Sequence, residues 1–346
     1  MNDADENDRL AQTPHPRETF ALFGQSEAEE ALLENYRGGR MHHAWILGGP
    51  EGVGKATLAY RMARFILANP VGEQLGEVRD LTVSPQHPAA RMVASQSHVD
   101  LVVLRRIWND KSKNFFANIR VDDVRDVVRF FGTTAGAGGW RIAIVDSAED
   151  LAPAGANALL KVLEEPPPRA LFLIVSHQPA RLLPTIRSRC RKLMLAPLDA
   201  EDVRRAASLA RPDLDGAPLQ GSLPLAQGSV RRAITLAGGD AVTIHQSLMG
   251  LLARLPNLDV AAAHALADRC MGKGTEENFA LLLAFVEEWL HQRLLAERGA
   301  PAHRLARWAE VWDKARSAAR DVEAYNLDRK PFVLSTLSML AQASQR

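Results

Sequence analysis

Short apolar runs separated by stretches of helical periodicity set the pattern from about residue 17 to residue 198. The runs are Ala44-Trp-Ile-Leu, Val99-Asp-Leu-Val-Val-Leu, Ile142-Ala-Ile-Val, Leu171-Phe-Leu-Ile-Val and Lys192-Leu-Met-Leu. Each is brief and rich in β-branched or aromatic side chains, so the pattern predicts five buried strands. Between them, Val124, Val127, Val128 and Phe131 fall on one helical face behind an N-cap at Asp122, and Ala156 to Leu163 form a helix stopped by Pro166-Pro-Pro. Strands alternating with helices imply an α/β fold with a parallel sheet.

The strand signal disappears after Pro197. Residues 199–243 read as short helices interrupted by Pro212, Pro218, Gly221 and Pro224, a small all-α unit carried on the sheet domain. Residues 244–346 read as long amphipathic helices. In one, Phe279, Leu282, Leu283, Val286, Trp289, Leu290 and Leu294 recur at spacings of three and four; in the next, Leu305, Trp308, Val311, Trp312, Ala315, Ala319 and Val322 do so. Such stripes serve either as the core of a helical bundle or as a subunit interface. Residues 1–16, with Pro14, Pro16 and no apolar period, are expected to be a disordered lead-in to a sheet domain spanning 17–198.

Composition narrows the partners. The 346 residues are 47% hydrophobic and 24% charged, with 42 Lys plus Arg against 41 Asp plus Glu. That balance excludes a diffuse polycation coating nucleic acid or anionic membrane, so any DNA contact must use a local patch. Two distant cysteines, Cys190 and Cys270, argue for a reducing compartment and exclude a four-cysteine zinc site within the chain. The first residues are acidic rather than basic-then-apolar, and no run of about 18 apolar residues occurs. A cytoplasmic, soluble protein without membrane contact is expected.

The chemistry sits after the first run. Gly49-Pro50-Glu51-Gly52-Val53-Gly54-Lys55 lies between a strand and a helix, the context of a phosphate-binding loop. Its glycines let backbone N–H groups converge on phosphate oxygens, the helix N-terminus adds partial positive charge, and Lys55 reaches terminal phosphates. The template then requires a hydroxyl on the next residue to ligate Mg²⁺, but position 56 is Ala56, and Thr57 comes one residue late, about 100° around the helix. Asp146, ending the run Ile142 to Val145, is the carboxylate that would hold the metal, yet Ser147 stands where a water-activating glutamate belongs. Glu149 and Asp150 read as capping or solvating the next helix. The loop is therefore expected to take ATP or ADP, while hydrolysis lacks two parts.

Arg187, Arg189, Arg191 and Lys192 crowd six positions before the last run. They form either a solvated charged face or, with an exposed arginine at the end of a strand-helix unit, a finger toward a phosphate held by a neighbouring subunit. Cys190, with no general base nearby in sequence, reads as a small buried thiol.

Taken together, Gly49 to Lys55, Ala156-Asn-Ala-Leu-Leu-Lys-Val-Leu-Glu-Glu-Pro166, Ser188-Arg-Cys190 and Gly228-Ser-Val-Arg231 resemble the clamp-loader subunits of bacterial DNA polymerase III, which are AAA+ proteins. The resemblance runs from about residue 18 to the C-terminus and is strongest over 120–197. It implies an AAA+ P-loop domain, a helical lid and a C-terminal helical collar that oligomerises. Ala56 and Ser147 resemble the delta-prime branch rather than the ATP-hydrolysing gamma/tau branch. That branch implies a largely non-hydrolysing stator within the DNA-directed DNA polymerase holoenzyme, whose nucleotidyl transfer belongs to another subunit. Arg189 would be the finger offered in trans to ATP on gamma/tau, Arg231 the sensor-2 arginine, and Ser176 or His177 the sensor-1 residue. Arg231 also reads as an exposed helical arginine beside Arg232.

The implied partners are gamma/tau, delta, the sliding clamp and primed DNA in a hetero-oligomer. Family members usually carry a four-cysteine zinc module; residues 69–98 contain no cysteine, and His87 and His98 cannot replace it, so a metal-free loop or hairpin without zinc is expected. Two rivals remain, a self-sufficient ATPase of the gamma/tau type, which positions 56 and 147 oppose, and a small-molecule kinase, which leaves Ser188-Arg-Cys190 unexplained.

Overall fold

A computed structural model describes residues 6, 8–72, 75–76, 78–109, 111–112, 114–132, 139–272, 275–299, 301–325 and 327–345. The chain divides into two compact units, residues 1–235 and 236–346.

In the first unit the strands β1 (Ala44–Gly48), β2 (Leu101–Leu104), β5 (Arg141–Val145), β6 (Ala170–Ser176) and β7 (Arg191–Met194) form one parallel sheet in the order β2-β5-β6-β1-β7. Ala44 lies opposite Phe172 and Gly48 opposite Ser176, so β1 and β6 end level with one another. Side chains alternate between two cores, as the two-residue period of a strand demands. Trp45, Leu47, Ile142, Ile144, Leu171 and Leu173 face helices α1 (Ser26–Arg37) and α2 (Lys55–Ala68). Ala44, Ile46, Ala143, Val145, Phe172 and Ile174 face α4 (Val121–Gly132), α5 (Pro153–Glu164) and α6 (Pro184–Arg189). The three inner strands are buried along their whole length.

The outer two differ from the expectation of five buried strands. β7 is exposed at Arg191, Lys192 and Met194 because it is the sheet edge, and β2 is only half-buried at the other edge and begins at Leu101 rather than Val99. Asp122 lies inside α4, in its first turn, and not ahead of it as a cap.

Two segments depart further. Residues 88–94, within the stretch expected to be loop or hairpin, form helix α3 (Pro88–Ala94). Its cap is His87, whose Nδ1 accepts from the Ala89 N–H at 3.2 Å, and Pro88 opens the first turn. His98 Nδ1 likewise accepts from the Asp100 N–H at 3.2 Å, so both imidazoles serve the backbone. A small antiparallel pair, β3 (Trp108–Asn109) with β4 (Asn114–Phe115), is held by an edge-on contact of Trp108 and Phe115 with ring centres 5.2 Å apart. Two-residue strands carry no legible period.

The lead-in expected to be disordered is ordered at Glu6 and from Asp8 onward; residues 1–5 and 7 lie outside the described residues. Charge holds it where apolar periodicity does not. The fully buried His15 meets Asp8 at 3.0 Å, and Arg105 meets Asp8 at 2.7 Å and Glu6 at 2.9 Å. Burial raises the Asp8 pKa, and the hydrogen bonds and charge facing it from His15 and Arg105 more than offset this, so that it ends at about 2. The next stretch lies along α2, where the buried Arg64 donates to the carbonyls of Arg17 (2.8 Å) and Thr19 (2.7 Å) and Arg61 donates to that of Phe20. Backbone outside helix and sheet thus has these acceptors satisfied.

Three helices and two single-turn pieces make up residues 199–240: α7 (Ala200–Ala210), capped by Asp199 accepting from Asp202 N–H at 2.7 Å, α8 (Ala217–Ser222), the two single turns, and α9 (Val230–Ala237). In the second unit α10 (Ala241–Leu252), α11 (Val260–Asp268), α12 (Glu276–Ala296), α13 (Ala302–Tyr325) and α14 (Arg329–Ala343) pack α10 on α12, α12 on α13, and α11 and α13 on α14. The aromatic stripes meet inside this unit: Trp289 packs edge-on against the buried Trp308 at 5.6 Å and Phe279 against Phe332 at 5.4 Å. Among the described residues no helix is long and apolar enough to cross a membrane.

Candidate functional site

β1 is an inner strand between β6 and the edge strand β7, and the loop after it leads into α2. Gly49 takes φ 139°, and a Cβ there would sit 2.4 Å from the Leu195 carbonyl oxygen, so only glycine lets the loop pass the start of the Leu195–Leu198 segment. Gly52 takes φ 77°, and its Cβ would meet Ser229 Oγ at 2.3 Å and Arg231 Cβ at 2.7 Å. Its carbonyl accepts from the Val230 N–H at 2.9 Å, which fixes the first residue of α9 to the loop. Gln25, just before α1, donates from Nε2 to the carbonyls of Val53 (3.1 Å) and Ala196 (2.8 Å) and secures the loop from the other side.

These elements surround a cavity of about 760 Å³. Glu51 through Thr57 form one wall, Asp146, Ser147 and Glu149 the second, His177 the third, and Arg231 with Val230 and Ile234 the fourth. The ordered lead-in closes the cavity with Leu10, Thr13, Pro14 and Pro16, and the stretch after it with Thr19, Phe20, Leu22 and Phe23. Most site residues expected from the sequence are therefore brought together; Gly49 and Pro50 shape the loop without lining the cavity. Thr57, expected to turn away, lines the cavity beside Ala56. Of the two sensor-1 candidates His177 reaches the cavity. Ser176 is fully buried, and its Oγ accepts from the Gln178 N–H at 3.2 Å. Arg231 lines the wall with Nε 3.1 Å from Glu51 Oε1, while Arg232 pairs with Gln227 at 2.9 Å and does not line the cavity.

Burial governs the electrostatics. Lys55 is 3% exposed and donates from Nζ to the carbonyls of Gly49 (2.8 Å) and Pro50. Desolvation pulls its pKa down from 10.5 to about 8, with Glu149, Asp146 and Glu51 opposing the fall. Asp146, 8% exposed at the end of β5, is pushed up from 3.8 to about 7 by burial, reinforced by Asp8 and opposed by Arg105. Burial, then Lys55, lowers the His177 pKa.

Glu149 is the residue that reading the sequence missed. Ser147 takes a left-handed conformation, φ 54°, and the single turn Ala148–Asp150 after it returns the Glu149 side chain to the cavity. There Oε1 accepts from the His177 N–H at 2.9 Å, and Oε2 is buried without a hydrogen-bond partner. No spacing rule announces this, because it depends on positive φ at a serine. Asp150 also lines the cavity, paired with Arg106 at 2.9 Å between Nε and Oδ2.

The arrangement suits a polyphosphate: backbone N–H groups of the loop, the start of α2 and the Lys55 ammonium converge. The donors do not suit the magnesium that the loop template calls for. Ala56 offers a methyl group where the template needs a hydroxyl, and burial disfavours the charged form of Asp146.

Arg189 lies outside this cavity, at the end of α6. Its Nη1 donates to the Thr185 carbonyl at 2.9 Å and to Ser188 Oγ at 3.3 Å, and Nη2 lies 2.6 Å from Glu164 Oε1 at the end of α5. The side chain is 35% exposed. Cys190 packs in the core with Ile186, and burial pushes its thiol up to about 12, which leaves it inert.

Residues 24–199 match the family described as DNA polymerase III, delta subunit. The chain is 37% identical over 218 residues to DNA polymerase III subunit delta' of Pseudomonas aeruginosa, covering 61% of this chain and 60% of that protein. It is 33% identical over 227 residues to subunit delta' of Escherichia coli, covering 65% and 63%. A third similarity, 29% over 304 residues, is to subunit tau of Escherichia coli and covers 84% of this chain and 44% of tau. The match thus spans less than two thirds of each of these relatives.

Proposed function

We propose a role in sliding-clamp loading for this chain, which belongs to the DNA polymerase III, delta subunit family: it acts as a delta-prime-type stator that hydrolyses little or no ATP itself and completes an ATP site on a neighbour. Its partners in this reading are gamma/tau and delta subunits, the sliding clamp and primed DNA, in a cytoplasmic hetero-oligomer. Residues 199–243 act as the lid and 244–346 as the collar.

The observation that carries the reading is an asymmetry between two sites on one sheet domain. The loop site keeps Lys55 and its glycines but presents Ala56 and Ser147 where a metal-ligating hydroxyl and a water-orienting carboxylate are required. It can bind ATP or ADP through Lys55 and the loop amides; Asp146 then bounds the pocket rather than serving chemistry. Arg189 meanwhile stands partly exposed at the end of α6, its guanidinium steadied by Thr185, Ser188 and Glu164. An arginine so placed stabilises charge developing on a phosphate bound by an adjacent subunit.

The test is ATP turnover by the chain alone and mixed with a gamma/tau partner, clamp and primed DNA. Negligible turnover alone and stimulation of the mixture are expected. Turnover of about 1 s⁻¹ or more by the isolated chain, an ordinary enzyme rate, would refute the stator reading in favour of a self-sufficient motor.

A further inference from the structure

Three cations, Lys55, Arg106 and Arg231, line the same cavity; Arg106 is paired with Asp150, and the other two are engaged differently. Lys55 rests on neutral carbonyl oxygens, whereas Arg231 faces a full negative charge, Glu51, at 3.1 Å. The loop backbone forces this pairing. The Gly52 carbonyl accepts from the Val230 N–H, and residues 51 and 231 are the immediate neighbours of those two positions. The absence of a side chain at position 52 is what lets Arg231 approach, since a Cβ there would collide with Ser229 and Arg231. The loop therefore carries its own anion at the mouth of an anion site, set against the one cation contributed by α9 to the cavity wall.

We infer that Glu51 is a specificity-determining residue of the loop site: its carboxylate is a resident counter-ion for Arg231, so the site discriminates nucleoside triphosphates from diphosphates by whether the phosphate chain reaches Arg231 and displaces Glu51. A diphosphate held by Lys55 and the loop amides leaves the Glu51–Arg231 pair intact and gains nothing from Arg231. A triphosphate offers more charge and length and takes over the arginine. The pair is partly exposed, 56% at Glu51 and 37% at Arg231, so its displacement is cheap and its influence on affinity moderate. This inference rests on the nucleotide-binding part of the function proposed above.

The experiment is calorimetric titration of the full chain with ATP and ADP, using wild type, Lys55→Ala, Glu51→Gln, Arg231→Gln and the double variant Glu51→Gln/Arg231→Gln. Lys55→Ala abolishing ATP binding establishes the site itself. Glu51→Gln is then expected to bind ATP about two- to fivefold tighter, the range of exposed ion pairs, with a smaller gain for ADP. The double variant should bind like Arg231→Gln alone. Lys55-dependent ATP binding that Glu51→Gln leaves unchanged or weakens overturns the counter-ion role while sparing the nucleotide reading. A gain that survives in the Arg231→Gln background overturns it too, since the effect would then be one of net charge. No ATP binding by either wild type or Glu51→Gln removes the nucleotide reading, and this inference with it.

Discussion

Asp146→Asn should make the sheet domain more stable at neutral and alkaline pH. The carboxylate is buried at the end of a central strand, and its pKa in the folded chain is about 7 against an ordinary 3.8. A raised pKa means that the folded state holds a proton which the unfolded state releases. The contribution to stability is complete below about 3.8, falls as pH rises toward 7, and stays lost above it. The difference between those pKa values corresponds to about 4 kcal/mol. Asparagine has the same shape and no charge, but its amide needs its own partners, so a net gain of about 1 to 3 kcal/mol at pH 8 is expected. Below pH 4 the gain should vanish or reverse. The neutral-favouring histidines His43, His98, His177 and His245 titrate with the opposite sign in both proteins and cancel in the comparison. Because the chain has two units, a single unfolding midpoint is ambiguous. Hydrogen exchange of β1, β5 and β6 amides, followed by mass spectrometry at pH 5.5 and pH 8, isolates the sheet. Equal protection in the two proteins at pH 8, or a stability difference that does not vary with pH, would refute the assignment of a costly buried carboxylate.

Three other outcomes are expected. ATP affinity should fall about five- to sixfold between pH 8 and pH 9, because the Lys55 cation is half present at its pKa of about 8 and largely lost a unit above it; titration calorimetry across that range checks this, and Lys55→Arg should flatten the profile. Gly52→Ala should cost about 1 to 3 kcal/mol in local backbone strain at positive φ and loosen the bond from Val230 to the loop, visible as faster exchange of the Val230 amide and weaker nucleotide binding. Arg189→Ala should leave folding and assembly intact, since its exposed pair with Glu164 is worth at most about 1 kcal/mol. It should lower ATP hydrolysis by the mixed complex, and Arg189→Lys should rescue poorly because one ammonium cannot replace a planar fork of donors; wild-type hydrolysis by the alanine variant would reject the trans role.

The central sheet was legible because β1, β5 and β6 are buried on both faces and leave continuous apolar runs, and the loop was legible because glycine spacing reports backbone demands directly. β7 was mistaken for a buried strand since an edge strand can still carry apolar residues: Leu193 is half-buried although Met194 is 59% exposed. What escaped depends on long-range partners. Glu149 enters the cavity only because Ser147 turns left-handed, and His15 is buried in a polar stretch only because Arg105, about ninety positions later, gathers the acids around it. Helix α3 escaped because its seven residues, opened by a histidine cap, are too few for a period to emerge.

The anchoring of the lead-in makes the amino terminus a remote handle on the pocket. Arg105 is only 12% exposed, and Glu6, Asp8 and His15 are the partners at its guanidinium. Trimming the chain to begin at the regular helix α1 would take all three of these partners from Arg105, the kind of loss that costs about 3 to 5 kcal/mol where the remaining charge stays buried. It would also strip Thr19, Phe20, Leu22 and Phe23 from the cavity wall and leave Arg61 and Arg64 without the carbonyls they hold. A protease that cuts between His15 and Thr19 and releases the segment before it therefore acts on the same cavity as a substitution in the phosphate loop, although no residue of that loop has been changed.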